Sequence, residues 1–180
     1  MALLTAHQSM VLAIDLQEKL LPAMNEHEAL LQRVQRFMQG AKLCSVPIVA
    51  TEHWPEKIGS THPLFQGLAD TTVAKQHFDA TREPAVLEAF PAKRPQVLLI
   101  GAEAHICVLQ TGLSLAKAGL KPILVADAVG SRLESSRQAA LERWRHHGLE
   151  AVTIEMALFE WLETPANPSF KQILPLIKEP

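Results

Sequence analysis

Apolar residues along the chain form short continuous runs that alternate with segments of helical periodicity. The runs predict buried strands, because a strand covered on both faces lacks alternating polar positions. They lie at residues 9–14, 47–50, 96–100, 123–126 and 151–154. Amphipathic spacing and glycine stops predict helices at residues 27–43, 83–90, 107–118, 135–147, 159–162 and 170–177. Residues 51–72 are rich in Pro, Gly and His and predict a long loop, followed by a brief ambiguous segment at 73–75.

This alternation of strand and helix is typical of βαβ units. It predicts an α/β fold of three layers (α/β/α) around a doubly wound, mostly parallel sheet of the Rossmann-like kind. The sequence contains no internal repeat, low-complexity tract or linker-like stretch. We therefore expect residues 1–180 to form a single domain.

Composition and net charge argue against nucleic acid and membranes as binding partners. The chain is 48% hydrophobic and 20% charged, as in folded globular proteins, and its net charge is −2. That charge offers no electrostatic footprint for nucleic acid or an anionic membrane. The apolar runs are too short to span a bilayer, and the first nine residues lack a signal-peptide pattern. We expect a cytoplasmic protein that acts on a small molecule.

The chain has two cysteines, Cys44 and Cys107, too few for a disulfide framework and not spaced as a metal pair. Cys44 lies near the end of an amphipathic helix and is interpreted as structural. Cys107 follows the strand at 96–100, where the chain passes through Gly101 into a helix. Ligands gather at the carboxyl ends of parallel strands, and a helix N-terminus favours a thiolate. This position predicts a depressed pKa for a reactive Cys107, while a buried structural cysteine is the alternative.

Other chemically useful residues end neighbouring strands. Asp15 closes the first strand, Asp127 closes the strand at 123–126, and Lys75 follows a short apolar segment. A carboxylate can take a thiol proton, and an ammonium stabilises the resulting thiolate. Asp15, Lys75 and Cys107 therefore suit attack on an electrophilic carbon. For Asp127 we favour a simple capping role.

Several alternatives lack support in the sequence. No GxGxxG, GxxxxGK[ST] or GxSxG motif is present, which argues against nucleotide loops and a serine-hydrolase elbow. The pairing of His53 with His62 is a weak metal signal, and no Asp-x-His or His-x-x-x-His pair occurs. We expect no cofactor and no metal.

The chain resembles the isochorismatase-like cysteine hydrolase superfamily, which includes nicotinamidases, over nearly its whole length. The matching stretches are residues 11–17 (Val-Leu-Ala-Ile-Asp-Leu-Gln), 74–78 (Ala-Lys-Gln-His-Phe), 99–101 (Leu-Ile-Gly) leading to 107–111 (Cys-Val-Leu-Gln-Thr), and 125–132 (Val-Ala-Asp-Ala-Val-Gly-Ser-Arg). The run around the cysteine is most similar to the isochorismatase-domain-containing branch. The resemblance implies a homo-oligomer with a triad of Asp15, Lys75 and the nucleophile Cys107. It also implies a cis peptide bond between Ala102 and Glu103, and an oxyanion hole of the Ile106 and Cys107 N–H groups.

One stretch departs from the family pattern. Nicotinamidases carry an Asp-Trp-His metal motif where residues 52–55 read Glu-His-Trp-Pro, so the expected zinc ligands are missing. We therefore expect a metal-independent hydrolase of a small amide, imide or ester. Candidates for its pocket wall are Gln17, His53, Trp54 and Phe78. A catalytically weak small-molecule-binding protein and a redox-active cysteine are the alternatives, and residues 51–72 carry no motif that identifies a substrate.

Overall fold

A computed structural model describes residues 3–178. Its strands are β1 (Ser9–Ile14), β2 (Ile48–His53), β3 (Thr71–Lys75), β4 (Gln96–Ala102), β5 (Lys121–Gly130) and β6 (Glu150–Val152). They form one parallel sheet in the order β3-β2-β1-β4-β5-β6. The strand order reverses between β1 and β4, and such a switch point opens a crevice at the carboxyl ends of the strands. The predicted doubly wound parallel sheet is confirmed.

Helices cover both faces of the sheet. They are α1 (His27–Leu43), α2 (Pro55–Ile58), α3 (Pro84–Glu88), α4 (Leu109–Lys117), α5 (Glu134–His146), α6 (Ile154–Leu162) and α7 (Phe170–Lys178). The helices α1, α6 and α7 pack on one face, and α3, α4 and α5 pack on the other. The fold therefore has the three predicted layers. Among residues 3–178, no helix has the length and apolar character needed to cross a membrane.

The central strand β1 shows why the apolar run predicted its position so well. Its side chains alternate between the two cores: Val11 and Ala13 face α1, while Met10, Leu12 and Ile14 face α4. Because both faces are covered, every residue of β1 is buried and no polar position interrupts the run. The bounds of β1 and α1 are those predicted from the sequence.

The segment after β2 differs from the prediction of one long loop. Strand β2 continues to His53, residues 55–58 form the short helix α2, and residues 71–75 form the edge strand β3. Strand β3 is exposed along most of its length, so it has no apolar run for the sequence to reveal. Strand β5 also extends beyond Asp127 to Gly130, and α6 begins at Ile154 where a strand was predicted to end.

Gly101 allows β1 and β4 to lie side by side at the switch point. Its φ is 126°, in a region that side chains disfavour, and a Cβ atom there would fall on the carbonyl oxygen of Ile14. Ile14 and Gly101 are register partners in the sheet. This close approach brings Asp15, the residue after β1, beside the chain that leads to Cys107.

Candidate active site

A buried ion pair lies at the carboxyl edge of the sheet. The Nζ atom of Lys75 is 2.8 Å from Oδ2 of Asp15, and neither side chain is exposed to solvent. Asp15 follows β1 with a left-handed φ of 54°. Its N–H donates to the Thr51 carbonyl (3.1 Å), and its Oδ1 accepts from the Thr51 hydroxyl (2.8 Å). Strand β2 therefore fixes the carboxylate, which sequence reasoning did not predict.

The ammonium of Lys75 has three further contacts. It donates to the carbonyl oxygens of His77 (3.1 Å) and Phe78 (3.4 Å), and it lies 3.5 Å from Nδ1 of His53. An ammonium has three protons and no acceptor. Carboxylate, carbonyls and imidazole together compensate the cost of burying this charge.

Cys107 lies with this ion pair. It belongs to a π-helical turn (Ala104–Val108) between β4 and α4 and is 4% exposed, and the charges of both Asp15 and Lys75 act on its thiol. The structure thus brings together the three residues that the sequence singled out. A carboxylate whose charge acts on a thiol is a candidate base for the thiol proton.

The predicted depression of the Cys107 pKa is wrong. Burial, followed by the negative charge of Asp15, raises the pKa of this thiol to about 12, although Lys75 acts in the opposite direction. Desolvation is the largest cause because the residue is nearly inaccessible to water. The thiol is therefore neutral at rest, and its reaction requires a base to take the proton.

Two expectations about the turn before Cys107 are also wrong. The described residues contain no cis peptide bond, so the bond between Ala102 and Glu103 is trans. The chain turns instead through the positive φ of Gly101 and through Glu103, whose φ and ψ are 18° and 89°. The N–H of Ile106 donates to the Glu103 carbonyl (2.9 Å) and is not free for an oxyanion.

Glu103 has a side-chain role that the sequence did not reveal. Its carboxylate is buried, with Oε1 2.8 Å from Nε of Arg132 and Oε2 3.4 Å from Nδ1 of His105. Nδ1 of His105 also lies 2.9 Å from the Ser131 hydroxyl. These contacts tie the turn that carries Cys107 to the segment that follows β5.

The four predicted pocket residues have different environments. His53 packs against the exposed ring of Phe78, with ring centroids 5.3 Å apart, and its pKa is lowered by burial and by Lys75. Trp54 is exposed and lines a cavity of about 270 Å³ that includes Lys75. Gln17 is not a pocket residue. It is fully buried, and its amide binds the backbone N–H and carbonyl of His53 (2.7 and 3.0 Å) and the carbonyl of Gly59 (2.6 Å).

The remaining candidates lie away from the ion pair. Asp127 does not cap the helix that follows it: its Oδ1 accepts from the N–H of Ile154, the first residue of α6, at 2.9 Å, and Thr153 is the N-cap of that helix. Cys44 packs against the core on the face of α1, whereas Cys107 belongs to the core on the opposite face, and both are free thiols. Within residues 3–178 no group of three or more His, Cys, Asp or Glu side chains is placed to hold a metal ion.

A doubly wound parallel sheet with Asp15, Lys75 and Cys107 near its switch point is the arrangement that the isochorismatase resemblance implies. The chain belongs to the isochorismatase domain family, whose model matches residues 9–156. The resemblance noted in the sequence is confirmed.

Curated relatives support this assignment. Isochorismatase domain-containing protein 2 from Bos taurus is 36% identical over 96% of the chain and 84% of its own length. Isochorismatase domain-containing protein 1 from Danio rerio is 35% identical over 94% of the chain. The chain spans only 61% of the length of the zebrafish protein.

Solved structures share the fold. The MAR1 ribonuclease from Caenorhabditis elegans superposes with a TM-score of 0.92 at 29% identity, covering 99% of this chain and 93% of that one. The YcaC protein from Escherichia coli, described as an octameric hydrolase of unknown specificity, gives a TM-score of 0.86 at 20% identity, covering 97% and 96%. At that identity the second likeness concerns the fold alone.

Proposed function

We propose that this protein is a metal-independent cysteine hydrolase of a small amide, imide or ester, with Cys107 as the nucleophile. The observation that carries the proposal is the buried Asp15–Lys75 ion pair, whose charges act on the thiol of Cys107. A buried ion pair is expensive to desolvate and adds little net stability. Its position at the switch point of the sheet, where ligands bind, supports a chemical role.

The first half-reaction begins with the neutral thiol. As the sulfur of Cys107 attacks the substrate carbonyl carbon, the thiol proton passes to the Asp15 carboxylate, and the carbonyl electron pair moves onto oxygen. The tetrahedral intermediate then collapses and the bond to the leaving amine or alkoxide breaks. Protonated Asp15 gives its proton to this leaving group, which leaves an acyl group on Cys107 in a thioester.

The second half-reaction restores the enzyme. Asp15 takes a proton from a water molecule as that water attacks the thioester carbonyl, and collapse of the intermediate releases a carboxylic acid. The thiolate leaves and recovers its proton from Asp15. The Lys75 ammonium compensates the carboxylate charge of Asp15 between these steps and stabilises negative charge on sulfur. For the oxyanion we retain the Cys107 N–H as a proposed donor.

A substrate panel with matched cysteine variants tests this proposal. We expect wild-type protein to hydrolyse at least one compound in a panel of small amides, imides and esters, and Cys107→Ala to lower kcat/KM by roughly 10³-fold or more. Cys44→Ala is the control and is expected to keep full activity. The panel also includes an RNA oligonucleotide, because the structurally similar protein from Caenorhabditis elegans is described as a ribonuclease. Unchanged turnover by Cys107→Ala, or binding of panel compounds without turnover by the wild type, would contradict the proposal.

We further propose that the protein self-associates in the cytoplasm. Two apolar side chains of α6, Met156 and Phe159, are exposed, which supports an interface on that helix. Both cysteines are free, as suits a reducing compartment. Light scattering coupled to size exclusion tests the first point, and a mass equal to one chain would contradict it.

A further inference from the structure

The segment that follows the active-site lysine supplies part of its environment. We call residues 76–83 the lysine loop. Its carbonyl groups at His77 and Phe78 accept hydrogen bonds from the Lys75 ammonium at 3.1 and 3.4 Å. These carbonyls belong to the backbone, so the position of the ammonium depends on the conformation of the loop.

Glu83 closes the lysine loop through one carboxylate oxygen. Its Oε1 accepts the N–H groups of Gln76 (2.9 Å) and His77 (3.3 Å), and it lies 2.8 Å from Nδ1 of His77. The two backbone bonds therefore fix the residues immediately after Lys75. These contacts, the Gln76 N–H first, lower the pKa of Glu83 to about 2, so the group accepts as a carboxylate.

The middle of the lysine loop is attached to the helix that follows Cys107. The N–H of Ala80 donates to the Thr111 hydroxyl (3.0 Å), and the Ser114 hydroxyl donates to Oδ2 of Asp79 (2.6 Å). Thr111 and Ser114 lie on α4, the helix that continues from the turn of Cys107. The loop thus links the element that carries the lysine to the element that carries the cysteine.

From these contacts we infer that Glu83 is a positioning residue for Lys75: it holds the lysine loop in the conformation whose carbonyls fix the ammonium beside Asp15 and Cys107. The inference rests on the proposed function, since it assigns Glu83 a part in preparing the same nucleophile. The carboxylate of Glu83 acts through the backbone of residues 76 and 77. It is a supporting group of the kind that keeps reactive side chains in a productive geometry.

The expected consequence concerns the reactivity of the thiol. Lys75 favours the charged form of Cys107, so an ammonium that is no longer held in place stabilises the thiolate less. Below the pKa of a thiol, its alkylation rate follows the thiolate fraction. Loss of Glu83 should therefore slow alkylation of Cys107 at every pH in that range, which a change in global stability alone would not do.

Iodoacetamide provides a probe that needs no substrate. In a Cys44→Ser background, where Cys107 is the remaining cysteine, second-order alkylation rates are measured from about pH 6.5 to about pH 9.5. We expect Glu83→Ala to lower the rate by about 10- to 100-fold. Glu88→Ala, which alters an exposed glutamate of α3, should leave it unchanged. Glu83→Gln keeps one acceptor oxygen, so its alkylation rate should lie between those of wild type and Glu83→Ala. If Glu83→Ala fails to fold, Glu83→Gln provides the test in its place.

A double variant tests whether the effect passes through the lysine. Lys75→Met should slow alkylation more than Glu83→Ala does, and adding Glu83→Ala to Lys75→Met should change nothing further, because the positioned group is gone. Alkylation by folded Glu83 variants at the wild-type rate, with Lys75→Met slow, would overturn this inference and leave the proposed function standing. Equal rates for Lys75→Met and wild type would instead overturn the role of the lysine in the proposed function.

Discussion

Lys75 reaches Asp15 across an intervening strand. Lys75 is the last residue of β3 and Asp15 is the first residue after β1. Strand β2 lies between these strands in the sheet, and yet Nζ and Oδ2 are 2.8 Å apart. The contact is possible because Asp15 leaves β1 with a positive φ and because the carbonyls of His77 and Phe78 draw the ammonium over the edge of the sheet. The site therefore spans the carboxyl edge from β3 to β4.

Breaking this ion pair should be costly for the fold. Lys75→Met leaves the Asp15 carboxylate buried without its cation, and we expect a loss of about 3–5 kcal/mol in the free energy of unfolding. The double variant Asp15→Asn/Lys75→Met removes both charges and should recover part of that loss. Urea denaturation measures both values. The surface pair of Arg137 and Glu134 is the control, since Glu134→Gln should cost only about 0–1 kcal/mol; a comparable cost for both pairs would contradict this prediction.

The raised pKa of Cys107 predicts that its thiol is alkylated slowly in the folded protein. With a pKa of about 12, native Cys107 should react with iodoacetamide at about pH 8 far more slowly than the same cysteine in the unfolded chain. Asp15→Asn removes a charge that raises this pKa and should speed alkylation while abolishing turnover, because the base is lost. Peptide mass spectrometry follows the label on Cys107, and equal labelling of native and unfolded protein would contradict the assigned burial.

Glu83 should make stability depend on acid pH. Its folded pKa of about 2 lies below its ordinary value of 4.5, so the carboxylate stabilises the fold at higher pH. That contribution is complete above about pH 4.5 and is lost as pH falls towards 2. We expect the Tm difference between wild type and Glu83→Gln to shrink over this range. A constant Tm difference for Glu83→Gln over this range would contradict the prediction.

Gly101 should tolerate no side chain. Gly101→Ala places a methyl group against the Ile14 carbonyl oxygen and forces a residue with a side chain to adopt a φ of 126°. We expect it to cost more than the roughly 1–3 kcal/mol of an unfavourable backbone conformation alone. Gly119→Ala is a matched control, since its φ is 84° but nothing lies within 4 Å of the added atom. Urea midpoints compare the two, and similar losses at both positions would rule out the close approach of β1 and β4 as the cause.

The sequence predicted those features that depend on local burial. The apolar run of β1 and the amphipathic stripe of α1 gave their bounds, because each element meets the core along its whole length. The strand ends then indicated Asp15 and Cys107 as neighbours. The edge strand β3 had no such pattern, since most of its residues are exposed.

By itself, the sequence determined the fold class, the family and the choice of Asp15, Lys75 and Cys107 as candidates. Hydrophobic periodicity and short motifs involve residues that are close together in the chain, so they can be recognised without the structure. Only the tertiary structure decided the environments of individual side chains. It raises the pKa of Cys107, buries the Gln17 amide against the backbone of His53, and places the carboxylate of Glu83 on the lysine loop. Desolvation and charge–charge interaction depend on which segments pack against a group. Those segments are distant in the chain and meet only when the sheet is assembled.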